Sequence, residues 1–175
     1  MNGPLLTSQR ITLRALEPID VDILYTWEND SSLWCTGVTI APYSRKQLWD
    51  YVNNYDADIF SAKQLRLMIE LTNSKETIGT LDLCEFDPIN SRCGIGILIA
   101  KGHQAKGYGA EALRLVENYC RTRLSLHQLY CTVAESNLHS RHLFEKVGYR
   151  ISGRLKSWLK SAGVYTDAYL YQKML

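Results

Sequence analysis

An isoleucine-rich stretch runs without a break into a glycine-bearing loop and on into an amphipathic helix. This junction limits the possible folds more than any other feature of the chain. From Cys93 to Ala100 the residues alternate: Ile95, Ile97 and Ile99 fall on one face, Gly94, Gly96, Leu98 and Ala100 on the other. That two-residue period is a strand's. Lys101-Gly102-His103 then leads into Gln104-Ala105-Lys106-Gly107-Tyr108-Gly109. From Gly109 to Leu124, Leu113, Val116, Cys120 and Leu124 recur at helical spacing. Such a junction is an anion cradle. Gly107 and Gly109 allow a tight turn and close approach of backbone to ligand. The N–H groups of the first helical turn converge where the helix dipole is positive, and Lys106 adds a charge. Two phosphate-binding patterns are missing: G-x-x-x-x-G-K-[ST], and G-x-G-x-x-G with an acidic ribose reader. Taken alone, the loop also fits an ordinary glycine-rich turn.

The remaining pattern predicts a single mixed α/β (α+β) domain over residues 1–175. Residues 7–14 read as a strand around Ile11 and Leu13. Pro18 and Asp20 open a helix carrying Ile23, Leu24 and Trp27. Ser44 and Gln47 make a capping box before Leu48, Tyr51, Val52 and Tyr55. Strands follow at Leu65–Leu71 and Thr77–Phe86, the second ended by the turn Asp87-Pro88-Ile89-Asn90. A strand over Gln128–Ala134, a helix over Leu138–Val147 stopped by Gly148, and strands near Tyr149–Leu155 and Val164–Gln172 complete the chain. Strands first, then strand–helix–strand, imply a largely antiparallel sheet that turns parallel near its middle.

Composition narrows function by exclusion. Twenty basic against 18 acidic residues leave a net charge of +2, too balanced for a bulk nucleic-acid or membrane binder. No stretch approaches the roughly 18 apolar residues of a membrane span, and Met1–Arg10 lacks the form of a signal peptide, so a cytoplasmic location is expected. Cys35, Cys84, Cys93, Cys120 and Cys131 are odd in number and without C-x-x-C spacing. They read as buried reduced thiols, and the histidines, without ligand spacing, predict no metal. Trp34, Trp49 and Trp158 are expected at the surface, where self-association into a homodimer is the default.

Q-x-x-G-x-G after an isoleucine strand resembles the acetyl-CoA pyrophosphate loop of the GNAT family of N-acetyltransferases. The run Asn137-Leu138-His139-Ser140-Arg141-His142-Leu143-Phe144-Glu145-Lys146-Val147-Gly148-Tyr149 is similar to that family's second signature. The opening Leu13-Arg14-Ala15-Leu16-Glu17-Pro18-Ile19-Asp20 and the ending Gly163-Val164-Tyr165-Thr166-Asp167-Ala168 resemble the branch that acetylates ribosomal-protein N-termini and, in close relatives, spermidine. The resemblance implies the GNAT fold, with a strand that splays from its parallel neighbour. It implies acetyl-CoA as co-substrate and direct transfer to a small-molecule amine or a peptide N-terminus. Ile97, Leu98 and Ile99 would pair with the pantetheine arm, with an N–H near Leu98 as oxyanion donor. Gln104, Ala105, Lys106, Gly107, Tyr108, Gly109 and Ala110 would hold the pyrophosphate. Asn137, Ser140, Arg141, Phe144 and Lys146 would line the other wall.

The chain departs from that family in its catalytic groups. Phe144 stands where many members carry a proton-donating tyrosine, which leaves Ser140 as the nominated acid. Gly94 stands where branch members often have a glutamate. Of the neighbouring carboxylates Asp82 and Glu85, strict alternation puts Glu85 on the apolar face with Leu81 and Leu83, which makes it the nominated base. The stretch Ser31–Tyr43 holds no carboxylate, a poor start for a polyamine site. A silent acyl-CoA-binding domain is the alternative.

Overall fold

The computed structural model describes residues 5–34, 41–161 and 163–175. Its strands are β1 (Ile11–Ala15), β2 (Leu65–Leu71), β3 (Thr77–Asp87), β4 (Arg92–Ile99), β5 (Gln128–Ala134), β6 (Arg150–Ser161) and β7 (Val164–Met174). They form one seven-stranded sheet in the order β1-β2-β3-β4-β5-β7-β6. Every pairing is antiparallel except β4 with β5. The helices are α1 (Val21–Glu28), α2 (Ser31–Trp34), α3 (Arg45–Asn53), α4 (Ile59–Ala62), α5 (Tyr108–Thr122) and α6 (Leu138–Lys146). Cys35 and the side chain of Trp34 lie outside the described residues. Among those residues, no helix is long and apolar enough to cross a membrane.

The sheet separates two cores because alternate strand residues face opposite ways. On one face Leu67, Ile69, Leu81, Leu83, Ile95, Leu129 and Val133 pack under α5 and α6, whose Leu113, Val116, Cys120 and Phe144 are buried. On the other, Met68 and Leu98 meet Leu24 and Trp27 of α1 and Leu48 and Val52 of α3. Truncating one such side chain, as in Leu113→Ala, costs about 2–5 kcal/mol. The capping box at α3 forms: Gln47 N donates to Ser44 Oγ at 3.2 Å, and Ser44 N to Gln47 Oε1 at 2.8 Å.

The two terminal motifs serve the frame. Arg14 forks onto both oxygens of Asp20, at 2.7 and 2.8 Å, and reaches Glu70 at 2.7 Å. Asp20 also accepts from Glu17 N at 2.9 Å, so a carboxylate with 2% exposure is satisfied and fixes the entry to α1. At the other end Asp167 accepts from Ser157 N at 2.8 Å and Arg154 Nε at 2.7 Å. It thereby holds a break in the β6–β7 register between Leu155 and Leu159.

Both outer strands differ from simple expectation. The strand expected over residues 7–14 is β1 from Ile11, preceded by a return of the chain. Thr7 bridges Thr12, and Leu13 N donates to Leu6 O at 2.8 Å. Strands β6 and β7 run past their expected ends, to Ser161 and Met174. The polar run Lys156-Ser157 hides the strand period, because Ser157 bulges out at φ 49°.

Candidate active site

Strands β4 and β5 pair only from Arg92 to Gly94, against Gln128 to Tyr130, and then diverge. Beyond Gly94, β4 keeps β3 on one side and faces a gap on the other. Ala100 N donates to Ile78 O on the β3 side at 2.8 Å. By the two-residue repeat, the backbone groups of Leu98 also point to β3, and those of Ile97 and Ile99 point into the gap. Ile99 O agrees: it accepts from the Gln104 side chain at 2.9 Å. The nomination of the Leu98 N–H as oxyanion donor is therefore corrected by the pleat. The amides of Ile97 and Ile99 face the gap, while the Leu98 side chain joins the α1–α3 core.

The loop after β4 turns through Ala105 at φ 58° and Gly107 at φ 87°, and α5 starts at Gly107 with no side chain capping it. An added side chain at Gly107 would sit in the left-handed region that favours glycine. At Gly109 a Cβ would lie 3.1 Å from Leu143 Cδ2, so this glycine lets α6 press against the start of α5. Ala110 is buried in the core. Lys106 Nζ curls back to Gly102 O at 2.7 Å.

A brace from the residues just before β1 holds the loop. Arg10 donates through Nη1 to Lys106 O at 3.2 Å and through Nε to Glu111 Oε2 at 2.7 Å, and its Nη2 also pairs with Glu111. Its guanidinium lies 5.0 Å from the centre of the Tyr108 ring. Ser8 Oγ donates to Glu111 Oε1 at 2.6 Å.

The second signature forms α6, and its members divide. Asn137 caps the helix, accepting from Ser140 N at 3.1 Å. Arg141 donates to Tyr171 Oη at 3.3 Å and Glu135 O at 3.1 Å, which ties the helix to β7. Phe144 is buried, edge-on to Tyr149 with ring centres 5.0 Å apart. A tyrosine hydroxyl at position 144 would need a partner inside the core. Ser140 is half-buried and Lys146 exposed.

The nominated base sits differently from the expectation. Glu85 takes φ 50° in a register shift between Cys84 and Asp87. The bulge breaks the alternation, so Phe86, not Glu85, continues the buried face of Leu81 and Leu83. Glu85 is exposed and accepts from Tyr130 Oη at 2.7 Å. Asp82, expected on the opposite face, is held by Arg66 Nε at 2.7 Å. Cys84 is half-buried, and burial pushes its thiol up to about 11. Cys93, Cys120 and Cys131 are buried. Asp30 pairs with Lys101 at 2.8 Å, and that bond holds its carboxyl down to about 2.

Residues 10–150 match the model of the acetyltransferase (GNAT) domain family. The chain belongs to that family. It is an acetyl-CoA-dependent N-acetyltransferase. It is 26% identical to the uncharacterized N-acetyltransferase p20 of Bacillus licheniformis, over 95% of this chain and 93% of that protein. The crystal structure of spermidine N-acetyltransferase from Vibrio cholerae in complex with CoA and spermine superposes with a TM-score of 0.84 at 29% identity, covering 96% of each chain. RimL, a ribosomal L7/L12 alpha-N-protein acetyltransferase in complex with CoA, shares the fold at 19% identity with a TM-score of 0.85, again over 96% of each chain.

Three residues of this GNAT protein escaped the sequence reading. Arg10 lies over ninety positions before the loop it braces, and no local pattern marks such a contact. Leu143 is the residue that meets Gly109, with Ile99 beside it, a contact between two helices that no local pattern marks. Tyr130 lies on β5 opposite Gly94, and its link to Glu85 follows from the bulge.

Proposed function

We propose that this acetyltransferase moves an acetyl group from acetyl-CoA to a primary amine of a small molecule or a polypeptide N-terminus, by direct attack. The observation that carries this reading is the pairing of two unfilled backbone sites: the start of α5, which no side chain caps, and the edge of β4 that β5 leaves open. Amides of Gly107 to Ala110 suit the pyrophosphate, with Gln104 holding Ile99 at the turn. The backbone of Ile97 and Ile99 suits an extended pantetheine arm, and an amide of the same edge polarises the thioester carbonyl. Ser140 is the nominated proton source for the departing sulfur, since Phe144 carries no proton. Glu85 takes the amine's proton.

For the acceptor, Glu28 and Asp30 are already ion-paired, with Arg66 at 3.2 Å and Lys101 at 2.8 Å. That supports an amine with a single cationic centre over a polycation. Trp49 and Trp158 are 49% and 60% exposed, which supports self-association in the cytoplasm, with a dimer as the simplest form. The deciding experiment is release of CoA-SH against spermidine, N-terminal peptides and aminoglycosides. Sustained release with any of them supports transfer. Acetyl-CoA binding with no release from the whole panel would favour a silent sensing domain.

A further inference from the structure

The gap between β4 and β5 opens just past a phenol–carboxylate pair. Tyr130 stands opposite Gly94, the last paired position of the parallel ladder. Its ring lies on the glycine face of β4: a Cβ at Gly94 would be 3.6 Å from Tyr130 Cε2. Tyr130 Oη donates to Glu85 Oε2 at 2.7 Å. Glu85 reaches it by adopting φ 50°, a conformation that costs an L-residue on the order of 1 kcal/mol. Bulges and backbone strain of this kind collect beside functional sites, where they re-aim a side chain. Further along the same face, a Cβ on Gly96 would meet nothing within 4 Å. Glycine in a strand interior gives up packing, and close approach of a ligand is a recurrent reason.

We propose that Tyr130 is a catalytic residue whose hydroxyl meets the acceptor nitrogen beside Gly94, at the mouth of the gap, and relays its proton to Glu85. The proposal rests on the acetyl-transfer reading above and replaces direct contact by Glu85 with a relay through Tyr130. The acceptor enters as free amine. Its lone pair forms the N–C bond to the thioester carbonyl carbon, and the C–S bond breaks with both electrons going to sulfur. The surplus N–H proton passes to Tyr130 Oη as the tyrosine's own proton passes to Glu85 Oε2. The thiolate is then protonated from solvent or through Ser140, and exposed Glu85 returns its proton to solvent. Burial and the bond to Glu85 both push the Tyr130 hydroxyl up. A free phenolate is therefore disfavoured, and the two proton movements go together.

Tyr130→Phe removes the hydroxyl and keeps the ring. Glu85→Gln keeps an acceptor for that hydroxyl but cannot take up a proton. Each is expected to lower kcat by about 10²-fold, the lower end of general-base contributions, with KM for acetyl-CoA within about twofold. The double variant should fall no further than either single one, because both cut the same path. A pair that only shapes the cleft would tolerate Glu85→Gln, so wild-type kcat in that variant overturns the relay even if Tyr130→Phe proves unstable. Wild-type kcat in either folded variant overturns the relay, as do losses that multiply in the double variant. An inactive wild type that still binds acetyl-CoA would remove the transfer reading and the relay together. An active wild type with an indifferent Tyr130→Phe removes the relay alone.

Discussion

Two helices flank the candidate cleft, and they begin in opposite ways. Helix α6 supplies its own cap, Asn137 accepting from Ser140 N at 3.1 Å. Helix α5 begins on a left-handed glycine with no side-chain cap. Each capless turn forgoes roughly 1 kcal/mol, and the connection from Ala100 to Gly107 had ample chance to place a Ser, Asp or Asn there. A helix start that is left open, in a loop braced by Arg10 and Glu111, suits an anion that arrives from outside. A start that is closed by its own side chain suits a helix whose task is to present a wall. Both stretches resemble family signatures, but the first offers uncapped backbone donors and the second a start closed by its own Asn137.

The largest expected effect tests whether the two helices are independent bodies. Lys173 donates to the buried Glu117 of α5 and, at 2.6 Å, to Val147 O at the end of α6. Lys173→Met leaves Glu117 without its partner and is expected to cost about 3–5 kcal/mol at neutral pH. Burial already raises the Glu117 carboxyl above its ordinary value. A raised folded-state value means that stability is fully present below the unfolded value and is lost as pH rises through the folded one. The variant should therefore be least impaired in acid, in denaturant titrations across pH 4 to 8. A deficit that does not change with pH would rule out Glu117 as its source.

Next in size, Gly107→Val should break the open start. A β-branched residue at φ 87° is strained by about 1–3 kcal/mol, and relief of that strain moves the amides. Calorimetry should show acetyl-CoA affinity down by about 10²-fold or more with the fold intact. Unchanged affinity in a folded variant would remove the loop from the cofactor site. Asn137→Ala should do the reverse: about 1 kcal/mol of stability lost with affinity nearly unchanged. A large affinity loss there would mean that the capped start also binds ligand. Smallest, Arg10→Ala should weaken acetyl-CoA about threefold, because half-exposed pairs contribute no more than about 1 kcal/mol. A loss as large as that of Gly107→Val would make Arg10 a direct ligand contact instead of a brace.

What the sequence could and could not reveal follows the same division. The α3 capping box, the β4 alternation and the Gly148 stop depend on neighbours a few residues apart, and each was legible. The direction of the Leu98 amide depends on which side of β4 holds β3, which no local pattern states. The face expected for Glu85 was wrong for a related reason. Alternation was carried through a position where one extra residue enters the strand, and the chain carries no glycine or proline there to give warning. Arg10 and Tyr130 become functional candidates only once distant strands are side by side. Local chemistry and the mixed sheet were readable; the break in parity at the bulge and the contacts between distant strands were not.

The two outer strands of the sheet have a bearing on how the protein behaves at high concentration. An unpaired strand is a template on which another chain can grow. At β1 that template is already occupied by the molecule's own residues 6–8, which fold back along it. At β6 the ladder shifts twice, and the bulge at Ser157, fastened by Asp167, interrupts any long flat run. Removing that fastening, as in Asp167→Ala, would loosen the bulge and leave this stretch of the edge less firmly shaped. The ending Gly163–Ala168 thus bears on how the protein keeps to itself, through the irregular edge that Asp167 holds.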